Sequence, residues 1–321
     1  MKVDLHIHST YSDSSRSPEE IVTLAKKRNV GLLSICDHAT IGAYSVLPEI
    51  CRDNGMKYVL GVELEILWKG ESLHMLAYNF DSDDAEMKAF MDKQYRAVEC
   101  EYIVYNMMQD YPQMSLEEYR HFAYPKENGG WKYLYYAVAR GAAKTYEEAN
   151  ETIYSRYGMP NHLSDFGECN MSDFCEMVRR AGGVPVLAHP GYLYERNPGG
   201  FASVLREMKA CGLGGIECYY PSHTKDVTDI CVRFCKNNDM RITGGCDCHG
   251  DFRHGLRACP PLSGRSLPFP DFAACAPFVS RIPSATNCYG ASKLLRNRKV
   301  NSAKQATFQA LAYIEPIIHA T

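Results

Sequence analysis

The sequence predicts an α/β protein, a strand–helix barrel interrupted by a helical insertion. Three observations point there. Short apolar runs alternate with amphipathic helical segments about seven times, the rhythm of a parallel sheet with both faces covered. The rhythm stops from about residue 83 to 165, where only helical patterning is found. Histidines and carboxylates gather where predicted strands end. The 321 residues leave room for one barrel of about 250 residues plus an insertion.

In "KVDLHIH", Val3, Leu5 and Ile7 alternate with Asp4, His6 and His8, the period of a strand. "SPEEIVTLAKKRN" follows as a helix, with Ser17 at the N-cap, Pro18 at N1 and Glu20 closing a capping box. "LLSIC" is a buried strand that runs into Asp37-His38. A helix from about Ala43 to Asn54 stops at Gly55. "KYVLGVELEI" reads as one strand and "SLHMLAYNF" as another beside it. After the tyrosine-rich insertion, whose aromatic stripes read as its own core, the alternation resumes. The strands "VPVLAHP", "GGIECYY" and "RITGGCDCH" follow the helices "SDFCEMVRRAGG", "FASVLREMKACG" and "KDVTDICVRFCKNN". Residues 259–321, beginning "CPPLSGRSLPFP", follow no such pattern and read as a loose basic tail.

Composition narrows the function. A net charge of −3 and 23% charged residues give no basic surface for a stable nucleic-acid partner. No apolar run approaches the roughly 18 residues of a membrane span. The 14 cysteines are scattered, many lie in apolar runs, and no signal peptide precedes them. Free buried thiols in a reducing cytoplasm are the expectation.

The chemistry lies in His6, His8, Asp13, His38, Glu63, His74, His189, Asp247 and His249. In an α/β barrel the strand C-termini converge on one face, so residues far apart in sequence become neighbours. The i, i+2 spacing of His6 and His8 puts both on one strand face, a costly place for two imidazoles without a partner. Mixed imidazole and carboxylate donors favour zinc, manganese or iron. The number of donors suits two or three divalent ions sharing a carboxylate. Cys246 and Cys248 flank Asp247 but alternate away from it and read as core. His121, His162, His254 and His319 read as ordinary polar histidines.

The runs "DLHIHSTYSD", "CDH", "GVELE", "SLHMLAY", "AHPG", "GIECYYPSH" and "CDCHG" resemble, in order, the motifs of the PHP (polymerase and histidinol phosphatase) phosphoesterases. The likeness covers about residues 1–82 and 171–250. The insertion resembles the branch that includes nucleotide-3′,5′-bisphosphate and cyclic-phosphate hydrolases. The resemblance implies a distorted (β/α)₇ TIM-like barrel over 1–82 and 166–258, with 83–165 as a substrate cap. It also implies a trinuclear site. His6, His8, Glu63 and Asp247 would hold the first ion; Glu63 would bridge to a second on His74 and His189; Asp13, His38 and His249 would hold the third. Two departures stand out. "CDHA" puts Ala39 where the family commonly has an acid, and "GGWKYLYY" stands where relatives carry an Arg-Pro-His-like run that reaches the substrate phosphate.

The expected reaction is attack of a metal-bridging hydroxide on a phosphate mono- or diester of a small metabolite, a nucleotide or sugar phosphate, with Asp247 in the catalytic centre. His223 is the candidate for the leaving group, and with Lys132 and Arg140 for substrate binding. The alternatives are a histidinol-phosphate phosphatase, a 5′-3′ exonuclease on short oligonucleotides and, last, a non-catalytic metal-binding scaffold.

Overall fold

The computed structural model describes residues 2–94, 96–158 and 169–250, with the side chains of 96–99 left aside. The strands are β1 Lys2–Ile7, β2 Val30–Ile35, β3 Lys57–Tyr58, β4 Gly61–Trp68, β5 Glu71–Tyr78, β6 Val184–Leu187, β7 Gly215–Tyr219 and β8 Arg241–Gly244. The helices are α1 Pro18–Lys27, α2 Leu47–Asn54, α3 Ala85–Lys93, α4 Arg96–Met107, α5 Leu116–His121, α6 Lys132–Ala139, α7 Tyr146–Tyr157, α8 Met171–Arg180, α9 Gly191–Arg196, α10 Phe201–Ala210 and α11 Lys225–Asn237. None is long and apolar enough to cross a membrane. The expected tail, 259–321, lies outside the described residues.

The chain divides into two compact units. The first holds all eight strands, α1 to α3, α8 to α11 and the segment Tyr124–Trp131. Its strands form two sheets rather than one: β1-β2-β3, all parallel, and β4-β5-β6-β7-β8. Two single bridges, Ile7 to Cys248 and His38 to Glu63, link the sheets beyond the ends of β8 and β2.

Two expectations about this unit need correction. "KYVLGVELEI" is not one strand, because β3 and β4 belong to different sheets. The break falls where the Tyr44 hydroxyl lies 2.7 Å from the Val59 carbonyl and accepts the Gly61 N–H at 2.8 Å. A side chain at Gly61 would strike Ser34 and Cys36, so glycine lets the start of β4 lie this close to them. The sheet is also mixed, not parallel: β5 runs antiparallel to both β4 and β6. Lys69 and Gly70 join β4 to β5 with both φ positive, at 53° and 82°. That two-residue turn permits only a hairpin, since a parallel partner needs a crossover of a dozen residues or more.

Local signals account for the helices. α1 starts with the expected capping box: the Glu20 N–H donates to Ser17 and the Ser17 N–H donates to the Glu20 carboxylate. Such caps contribute about 1 kcal/mol each. α2 ends at Gly55, which adopts the left-handed conformation. α1 and α2 bury Ile21, Val22, Ala25, Leu47 and Cys51 against Ile7, Leu33 and Ile35. On the five-stranded sheet, Phe174, Phe201, Leu205, Met208, Val227 and Cys235 pack over Val62, Met75, Leu187 and Ile216. Truncating the fully buried Phe174 to Ala should cost about 3–5 kcal/mol.

The second unit is helical, with α4 to α7. It is narrower than residues 83–165, because α3 and 124–131 group with the strands. Ser115 caps α5 and Thr145 caps α7. Tyr119 pairs with Tyr136 at 5.4 Å between ring centres, and Tyr135 with Tyr146 at 4.7 Å. These tyrosines pack within the helical unit, as a core function predicts.

Candidate metal centre

His6 and His8 project from the end of β1 and are fully buried. The chain then loops back under the control of Asp37. This carboxylate accepts the Ser9 N–H at 2.7 Å and the Ser9 and Ser12 hydroxyls at 2.6 Å each. The loop is thereby folded so that Asp13 turns toward His8, His38 and His249. His38 follows Asp37, and the next residue, Ala39, has φ +52°. The Ala39 N–H donates to the Glu63 carbonyl at 2.9 Å, which ties this corner to β4. His74 comes from β5, and His189 follows β6 with φ +27°. Asp247 follows β8 with φ +50°, its N–H donating to the His6 carbonyl at 2.7 Å. Non-glycine residues at positive φ cost of order 1–3 kcal/mol and cluster where surrounding structure demands a fixed side-chain position. Gly245 lets that crossing happen, since a Cβ there would lie 2.3 Å from the His6 Cβ.

The nine side chains named from the sequence fall into three overlapping groups whose donor atoms lie within 4.8 Å of one another: His6, His8, Glu63, Asp247; Glu63, His74, His189; and His8, Asp13, His38, His249. Glu63 joins the first two groups and His8 the first and third. The Glu63 carboxylate reaches five imidazoles: His74 at 3.1 Å, His189 at 3.2 Å, His8 and His38 at 3.3 Å, and His6 at 3.4 Å. His6 and His8 bring their Nε2 atoms within 3.3 Å of each other.

The electrostatics show how tightly these charges depend on one another. Burial alone would lift the Glu63 carboxyl, but the His74, His6 and His38 charges hold it well below the usual range. Asp247 is held low in the same way, by His6, His8 and His249 against its burial. Burial opposes the charged form of His8, yet Asp247 and Glu63 raise it to about 10. His74 also reaches about 10 against its burial, through Glu63 and Glu65. Glu63 Oε2, Asp247 Oδ1 and Asp13 Oδ1 are buried without a hydrogen-bond partner. Orphaned anionic oxygens facing imidazoles are the donor set of a divalent-cation site, in which the cation takes the place of the histidine protons. The residues therefore fit the ions they were expected to hold.

Three further residues support this constellation and were not picked out from the sequence. Asp37 shapes the loop. Glu65 lies 3.2 Å from His74 Nε2, opposite the nitrogen that faces Glu63. Glu217, on β7, meets both His6 and the His189 backbone. The i, i+2 spacing of Glu63 and Glu65 was a readable signal. Nothing local marks Glu217.

The other candidates are placed differently. His223 accepts the Gly191 N–H on Nε2 at 3.1 Å, so its proton sits on Nδ1 and goes to the Cys218 carbonyl at 3.2 Å. Burial pushes its pKa down. A neutral imidazole with both nitrogens spent on backbone braces the start of α9 against β7, and this geometry does not support the leaving-group role. Lys132 donates to the Arg120 carbonyl at 3.0 Å and lies over the Tyr119 ring. Arg140 forms a two-pronged pair with Glu118, holding that carboxyl low and its own pKa high. Both cations are thus engaged inside the helical unit. His121 bonds its own helix at the Glu117 carbonyl, while His162, His254 and His319 lie outside the described residues. Ten cysteines are free among the described residues, including Cys246, whose thiol points to the His6 carbonyl rather than among the donor groups.

A fold with imidazole and carboxylate donors gathered at successive strand ends defines a candidate centre for divalent ions. The family model of the PHP domain matches residues 4–211, and the chain belongs to that family of metal-dependent phosphoesterases. The chain is 28% identical over 267 residues to a 5′-3′ exoribonuclease of Haemophilus influenzae, covering 77% of this chain and 90% of that protein. It is 25% identical to a phosphoribosyl 1,2-cyclic phosphate 1,2-diphosphodiesterase of Eggerthella lenta, covering 78% and 94%. It is 24% identical to a 3′,5′-nucleoside bisphosphate phosphatase of Chromobacterium violaceum, covering 77% and 87%. In fold it matches a Bifidobacterium adolescentis chain assigned as a metal-dependent phosphoesterase, with TM-score 0.66 and 22% identity over 88% of this chain and 96% of that one.

Proposed function

We propose that this protein hydrolyses a phosphate ester carried on a ribose, in a small metabolite such as a nucleoside 3′,5′-bisphosphate or a cyclic sugar phosphate. The observation that carries this reading is the sharing of Glu63 and His8 among three donor groups, which packs the ion positions close enough to serve one phosphoryl group. The substrate class follows from the three relatives, which by name act on RNA, a phosphoribosyl cyclic phosphate and a nucleoside bisphosphate. A ribose bearing phosphate is what those molecules share.

Two or three manganese, zinc or iron ions would neutralise the phosphate oxygens and lower the pKa of water to near neutrality. His6, His8, Glu63 and Asp247 would hold one, Glu63, His74 and His189 a second, and His8, Asp13, His38 and His249 a third. The protein's own contribution is geometric. Its strand ends fix the donors before substrate arrives, and the Tyr220 hydroxyl, donating to Asp247 Oδ2 at 3.1 Å, leaves Oδ1 turned toward His6 and His8. We read the two sheets and their two bridges as one distorted barrel, closed where β1 meets the segment after β8 and where the segment after β2 meets β4. A cytoplasmic location suits the ten cysteines that are free among the described residues.

A second reading, a 5′-3′ exoribonuclease, is favoured by the Haemophilus influenzae relative. One screen separates the two. The protein, loaded in turn with manganese, zinc and iron, is offered nucleoside 3′,5′-bisphosphates, cyclic ribose phosphates, histidinol phosphate and 5′-phosphorylated RNA oligomers. Preferred phosphate release from the first two supports the lead, and mononucleotides from RNA support the second. No hydrolysis of any ribose phosphate would overturn both.

A further inference from the structure

Glu217 is fully buried in the middle of β7 and contacts two residues, His6 on β1 and His189 just beyond β6. Its Oε1 lies 3.1 Å from His6 Nδ1, and its Oε2 accepts the backbone N–H of His189 at 2.8 Å. We propose that Glu217 is a positioning residue that prepares two ion positions at once, an inference that rests on the reading of this centre as ion-binding.

The argument is one of donors and acceptors. A carboxylate only accepts, so its contact requires His6 to keep a proton on Nδ1. Once an ion replaces the second proton, it is His6 Nε2 that offers its lone pair, toward the point where Glu63 Oε1 and Asp247 Oδ1 each lie 3.4 Å away. A carboxylate behind a ligating imidazole also makes it more basic and locks its ring orientation. The second oxygen works on the other group. His189 sits at φ +27°, where an ordinary side chain rarely rests, and the bond to its N–H holds that backbone in place. His189 Nε2 then points to Glu63 Oε1 at 3.2 Å. One buried side chain thus aligns a donor of the first group and a donor of the second.

Glu217→Gln keeps the shape but reverses one partner. The amide oxygen can still accept from the His189 N–H, which turns the amide NH₂ toward His6 Nδ1. His6 must then accept on Nδ1 and carry its proton on Nε2, toward the ion position. The expected result is Mn²⁺ affinity about 10–100-fold weaker by titration calorimetry, and fewer Zn²⁺ ions retained after dialysis, with the circular dichroism spectrum unchanged. Equal Mn²⁺ affinity and equal Zn²⁺ content in E217Q and the unaltered protein would overturn the inference. If the unaltered protein itself retains no ions, the ion-binding reading falls first and takes this inference with it. A measurement on the unaltered protein needs no variant to fold. With Zn²⁺ added, ¹⁵N–¹H spectra of the imidazoles should show the His6 proton on Nδ1 and the Nε2 resonance displaced by the ion. A His6 proton on Nε2 would refute the proposal.

Discussion

Removing the ions should make the stability of this protein fall as pH rises through neutrality. His8 carries the calculation, because its side chain is fully buried. Its pKa goes from the ordinary 6.5 in the unfolded chain to about 10 in the fold, where Asp247 and Glu63 outweigh the cost of burial. A raised folded pKa contributes stability that is complete below 6.5 and drains away up to about 10. The slope is about 1.4 kcal/mol per pH unit for one such group. Between pH 6.5 and 8.5, His8 alone should remove about 2 kcal/mol, or about 3 °C in Tm for a chain of this size. His6 and His74 shift in the same direction and steepen the fall, His74 less because 29% of its side chain is exposed. Glu63, Asp247 and Asp13 are held low, so their contribution is present above the ordinary carboxylate range and lost only as pH drops through it. The chelated protein should therefore be most stable between about pH 4.5 and 6.5. Added Mn²⁺ or Zn²⁺ competes with the histidine protons, so its stabilising effect should grow with pH. Thermal unfolding from pH 5 to 9, with chelator and with metal, reads both trends. A chelated Tm that is flat or rising from pH 6.5 to 8.5, or a metal-induced shift independent of pH, would refute the reasoning.

Four other outcomes follow from the same geometry. Glu63→Gln should lower the bound-ion count at two of the three positions and abolish turnover, read by elemental analysis and phosphate release, and Asp247→Asn should do the same at the first position; wild-type turnover in Asp247→Asn would sink the assignment. Gly245→Ala should destabilise the protein by about 1–3 kcal/mol in urea unfolding, because the new methyl meets the His6 backbone and Cβ, and ion affinity should drop with it. His223→Ala should cost about 1–3 kcal/mol by leaving the Cys218 carbonyl and Gly191 N–H unpaired, while kcat stays within a few-fold. A thousandfold fall in kcat with stability intact would restore its leaving-group role.

Much of this molecule is legible in the sequence, because some of its determinants are local. The capping box of α1 and the stop of α2 at Gly55 are set within four residues of chain. The shared face of His6 and His8 follows from the two-residue period of any strand. The grouping of the nine donors was legible once the strand ends were assumed to converge, and the structure brings all nine together. The hairpin between β4 and β5 was also written locally, in Lys69-Gly70, although the strand alternation around it suggested a parallel sheet.

Tertiary structure decided the rest, because it depends on which distant strands pair and in what register. A glutamate in "GIECYY" has no sequence mark that tells a solvated carboxylate from one buried 3.1 Å behind a histidine. His223 reads as a free imidazole beyond a strand until the fold brings the Gly191 N–H to one ring nitrogen and the Cys218 carbonyl to the other. Lys132 and Arg140 read as free cations until helix packing supplies the Arg120 carbonyl and Glu118. Sequence determines which groups are present and, over a few residues, which way they point. Whether a polar group is spent on the scaffold or left for ions and substrate is settled only when long-range packing chooses its partners.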